Sequence, residues 1–141
     1  MQLKAKYESE IGGWLKQLER LQQENVALKH QVADFIKQDR DGVALERVEY
    51  FLNSFIDKDT VLALIRHDLV NQLKSLAMAS DIDTSEQLSR KQQKLGADVT
   101  RMDQEFAKLQ SEFANYIKQF VVANSSDFSA SSHPGSLYRR R

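Results

Sequence analysis

An all-α chain, an antiparallel bundle of three long heptad-patterned helices, is predicted by three observations. Apolar residues recur at alternating steps of three and four over most of the 141 residues. One proline and five glycines leave little punctuation, so the elements are few and long. Two short polar clusters, Asp39-Arg40-Asp41-Gly42 and Ser80–Glu86, divide the pattern into three stretches of similar length.

The first helix is expected over about 2–38. Tyr7, Ile11, Trp14, Leu18, Leu21, Asn25, Leu28, Val32 and Phe35 follow steps of 4 and 3, a 3.5-residue repeat that packs a helix lengthwise against others. Leu15 and Ile36 widen this stripe, which suits a bundle better than a two-stranded coil. Asn25 stands at an inward position. It is either a buried polar residue that sets helix register or a part-exposed seam position.

The second helix is expected over about 43–79, with Asp41 or Gly42 as its cap. Its stripe reads Leu45, Val48, Leu52, Phe55, Asp59, Leu62, Arg66, Leu69, Leu73 and Leu76. Asp57-Lys58-Asp59-Thr60 resembles a break, but the register passes through it unshifted, so one continuous helix is expected. The third helix is expected over about 84–122, opened by Asp83 and Glu86 in a capping-box arrangement. Its stripe is Leu88, Gln92, Leu95, Val99, Met102, Phe106, Leu109, Phe113, Tyr116 and Phe120. Residues 123–141 turn to Ser, Asn, Gly and Pro and end in Arg139-Arg140-Arg141, a composition that predicts a disordered tail.

Helices joined by short turns run up, down and up. At 1.5 Å per residue each is about 50 Å long. The alternative architecture is an open set of helices completed by a partner chain. Counting from the turns brings Trp14 level with Leu95-Gly96 and with residues near His67. Gly12, Gly13 and Gly96 are then expected to relieve crowding around the indole.

Composition excludes several functions. Lys plus Arg equals Asp plus Glu at 20 each, so the basic excess of a nucleic-acid binder is missing. Arg139-Arg140-Arg141 supplies only a weak, salt-sensitive attraction. Cysteine is absent, which removes disulfides, thiolate metal sites and cysteine catalysis. The longest apolar run, Val61–Ile65, is too short to span a bilayer, and the N-terminus carries no signal-like apolar region, so a cytoplasmic chain is expected. His30, His67 and His133 fall in different segments without metal-ligand spacing. Aligning Asp41-Gly42 with a calcium loop puts Lys37 and Val48 at ligand positions, and neither chelates. No metal, cofactor or small-molecule substrate is expected, and no catalytic residue.

The set Trp14, Glu24-Asn25, Leu28-Lys29, Phe55-Ile56, Asp59, Leu64-Ile65-Arg66-His67-Asp68, Glu105-Phe106, Leu109, Phe113 and Tyr116 resembles a family of small uncharacterised bacterial helical proteins. The resemblance covers roughly residues 8–120 and implies a helical fold in a cytoplasmic setting. A shorter similarity, Arg66–Leu73, is to the phosphoacceptor box of histidine kinases and sporulation-type phosphotransferases. It implies His67 as phosphoacceptor, with Asp68 beside it and Asn71 one turn along. The bland reading is a solvated surface histidine, since short motifs recur by chance.

A protein interface is the other expectation. Tyr50, Val61, Leu64 and Met78 fall on the outer face of the second helix, which is more apolar around its circumference than an edge helix needs to be. These readings together predict a non-enzymatic structural or adaptor protein acting through helix faces, as a homo-oligomer or with another helical protein. A phosphotransfer accessory protein using His67 is the alternative.

Overall fold

A computed structural model describes residues 2–38, 45–80 and 85–131, with the backbone alone for Gln2 and for 122–131. It contains α1 (Gln2–Gln38), α2 (Leu45–Met78) and α3 (Glu86–Ser131), and no strand among the described residues. The architecture is the three-helix bundle that the heptad pattern predicts. α2 passes through 57–60 without interruption, because its buried positions keep their spacing across that stretch.

The helices contribute to two compact units. The first comprises Met1–Glu24 with Lys58–Phe106, the second Asn25–Asp57 with Ala107–Arg141. In the first unit Tyr7 meets Ser89 and Arg20 meets Asp103, so α1 and α3 run parallel. Gln72 meets Leu88 while Lys58 meets Glu105, so α2 runs against α3. The core here is largely aliphatic, with Ile11, Leu18, Leu21, Leu62, Ile65, Leu69, Leu76, Leu95 and Val99 all buried. In the second unit a cluster of rings joins the buried aliphatic residues Leu28, Val32, Val48 and Leu109. Phe113 meets Phe51 and Phe55 edge-on at centroid distances of 5.2 and 5.5 Å, and Phe35 meets Phe120 at 4.8 Å. Edge-to-face pairs of this kind set the positive rim of one ring against the negative face of another.

Four expectations are corrected. The second seam position of α2 is Phe51, Lys58, Ile65 and Gln72, rather than Leu52, Asp59, Arg66 and Leu73. Both frames share Val48, Phe55, Leu62, Leu69 and Leu76, so spacing alone does not separate them. Charge does: the predicted frame turns Asp59 and Arg66 inward, whereas the observed one needs only Lys58, whose ammonium reaches out to Glu105 at 3.2 Å.

α3 begins one residue past Ser85, whose hydroxyl accepts the Leu88 amide at 3.2 Å and so acts as the N-cap. Asp83, the predicted cap, lies outside the described residues, as do Asp39–Gly42 and 132–141. α3 also continues to Ser131, past the boundary at 122. Ser, Asn and Asp cost a helix only a few tenths of a kcal/mol each, and the first proline comes at Pro134.

The fourth correction concerns the glycines. A Cβ on Gly96 would stand 2.9 Å from Cζ2 of Trp14, so only glycine admits the indole there. A Cβ on Gly12 or Gly13 meets nothing within 4 Å, so neither relieves crowding around Trp14.

Candidate surfaces and a buried polar layer

Val61 and Leu64 lie one turn apart on α2 in the first unit, both exposed, Leu64 at 59%. Met78, the last residue of the helix, is also exposed in that unit. Tyr50 is exposed in the second unit, with the Arg47 guanidinium 5.3 Å from its ring centroid. The four predicted interface residues therefore divide between two units, and only Val61 and Leu64 are neighbours.

His67 points outward, its side chain 71% exposed. Asn71 Nδ2 stands 3.5 Å from the ring's Nδ1 and Asp68 Oδ1 stands 3.7 Å from it. The three candidate phosphoacceptor residues thus come together, and both neighbours approach Nδ1. Neither distance is that of a strong hydrogen bond. The Asn71 amide NH2 facing Nδ1 suits the Nε2–H tautomer, and the Asp68 carboxylate facing it suits Nδ1–H. A nucleophilic Nε2 needs Asn71 turned to present Oδ1, or Asp68 drawn in to accept from Nδ1–H.

Asn25 is fully buried and donates from Nδ2 to the Phe55 carbonyl at 2.9 Å, which favours the register-setting reading. The first unit holds a polar layer that spans all three helices. Gln72 Nε2 donates to the Leu88 carbonyl at 3.0 Å and to Gln92 Oε1 at 3.2 Å. Gln92 Nε2 donates to the Tyr7 carbonyl at 3.1 Å and to Glu10 Oε1 at 2.9 Å. Gln92 lies in the expected stripe; Gln72 lies one position outside it, since the observed α2 frame is offset by one residue. A frame chosen to keep Asp59 and Arg66 outward finds it.

The outer charges are ordinary. Arg20 is bonded to Glu24 at 2.9 Å and to Asp103 at 3.3 Å. The hydrogen bond to Glu24 is the main cause raising its pKa above the usual arginine value, so it stays charged at any physiological pH. Among the described residues no group of three or more His, Asp or Glu is placed to hold a metal ion, and no helix is long and apolar enough to cross a membrane. No family model matches the chain, and no curated protein or solved structure matches it.

Proposed function

We propose that this chain is a non-enzymatic, cytoplasmic adaptor that works through a helix face, and that the face formed by Val61 and Leu64 meets the same face of a second copy. The observation that carries this reading is Leu64, a leucine in the middle of a long helix left 59% exposed, with Val61 exposed one turn before it. Burying such side chains contributes about 1.5–3 kcal/mol each, which a monomer forgoes. A two-fold axis makes the contact self-complementary, so one patch serves both partners. A two-fold at Leu64 sets Asp68 opposite Thr60 and Val61 opposite His67, with no like charges opposed. Light scattering over a concentration series tests it. The wild type is expected to dimerise, and Leu64→Glu to be monomeric with unchanged helicity by circular dichroism. A wild type that stays monomeric, or a mutant that stays dimeric, removes the reading.

A second reading is favoured by one observation, the exposed His67 imidazole with Asp68 and Asn71 beside its Nδ1. In it, Nε2 attacks the phosphorus of an aspartyl phosphate on a receiver domain. The P–N bond forms as the P–O bond breaks, and the receiver carboxylate leaves. Incubation with a phosphorylated receiver should then yield an acid-labile phosphate that His67→Gln lacks. Equal labelling of the two proteins excludes it.

A further inference from the structure

We infer that the first turns of α1, residues 3–11, form a strap that swings off the first unit about Gly12-Gly13. The hinge is identified by what these glycines do not do. Neither meets a neighbour that excludes a Cβ, and neither adopts a left-handed φ, so alanine would fit at both. What glycine supplies there is backbone freedom, and two in succession make this the weakest point of α1. Just past the pair, Trp14 is lodged over Gly96, which pins α1 on the far side of the hinge.

The strap itself is held by contacts that water can replace. Leu3 is exposed, Tyr7 half-buried, and Ile11 is the one fully buried apolar side chain before the glycines among the described residues. Its polar holds include Lys4 to the Ala79 carbonyl at 3.2 Å, the Tyr7 hydroxyl to Ser89 at 3.0 Å, and Gln92 to the Tyr7 carbonyl and Glu10. The bed beneath it suits reversible opening. It includes Gln92 and Gln72, whose amides bond equally well to water, beside Leu76 and Leu95. Beyond the hinge α1 buries Leu18, Leu21, Leu28 and Val32, and has no comparable point of release. A segment with few buried apolar contacts and a weak backbone at its base is the kind that opens below the global unfolding free energy.

Hydrogen exchange on the full chain, read by mass spectrometry, tests this independently of association through Leu64. A helix of nine residues released from the unit is too short to keep its own hydrogen bonds, so in the wild type amides 6–11 should exchange at least about tenfold faster than amides 18–32. The double substitution Gly12→Ala, Gly13→Ala should slow 6–11 by about tenfold or more and leave 18–32 unchanged, as two glycine-to-alanine changes in a helix imply. Uniform protection along α1 in the wild type overturns the strap. So does a double variant that slows 18–32 as much as 6–11, since that is general stabilisation without a hinge.

Discussion

The first unit sets a layer of amides among largely aliphatic side chains; the second adds interlocked rings to Leu28, Val32, Val48 and Leu109. Gln72 and Gln92 bridge three helices in the former; Phe51, Phe55 and Phe113 fill the same kind of inward position in the latter. The difference separates two jobs that a seam performs. Rings bury much apolar surface and supply stability. Amides add little net stability, but a mispaired helix leaves them unsatisfied, so they select one alignment. Asn25, bonded to the Phe55 carbonyl, gives the aromatic unit one such selector of its own.

The largest expected effect lies in the second unit. Phe113→Ala removes a ring that meets two others and should cost about 3–5 kcal/mol in chemical denaturation. A loss below about 1 kcal/mol would mean that the aromatic cluster is not the stabilising half. In the first unit the amides should behave differently singly and together. Gln92→Leu removes the bonds to Gln72, Glu10 and the Tyr7 carbonyl and should cost about 1–3 kcal/mol. Gln72→Leu with Gln92→Leu removes both ends of their mutual bond and should recover most of that loss. Simple additivity of the two single changes would show that the layer is not a unit.

The smallest effects separate glycines by context. Gly96→Ala forces the Trp14 indole to move and should destabilise by about 1–2 kcal/mol, with a shift in tryptophan emission. Gly13→Ala meets open space and should stabilise by about 0.5–1 kcal/mol, with emission unchanged. Equal melting shifts in the same direction would erase the distinction.

Most of this fold was legible because a 3.5-residue repeat is a direct image of lengthwise packing. The stripes of α1 and α3 match burial from Ile11 to Val32, with Trp14 half-buried, and from Gln92 to Phe113. α2 shows where periodicity stops. Two frames offset by one residue share every seventh position, and only the charges of Asp59 and Arg66 distinguish them. The Trp14–Gly96 contact was legible by counting from the turns. The open space at Gly12 and Gly13 was not, since sequence shows that a glycine is present and not which neighbour it faces. The candidate surfaces follow the same rule: exposure of Val61, Leu64 and His67 could be read from helical phase, whereas the division of Tyr50 from the others depends on how the chain partitions into units.

The central functional claim, a second copy seated on the outer face of α2, is tested most directly by a distance between copies. The chain has no cysteine, so Thr60→Cys provides a single spin-label site on that face, one residue from Val61. Two helices packed face to face lie about 8–10 Å apart. Pulsed dipolar spectroscopy should therefore show one short, well-defined distance between labels, lost when Leu64→Glu is introduced. Absence of dipolar coupling in the otherwise wild-type chain, or the same distance in the Leu64→Glu background, would contradict the account.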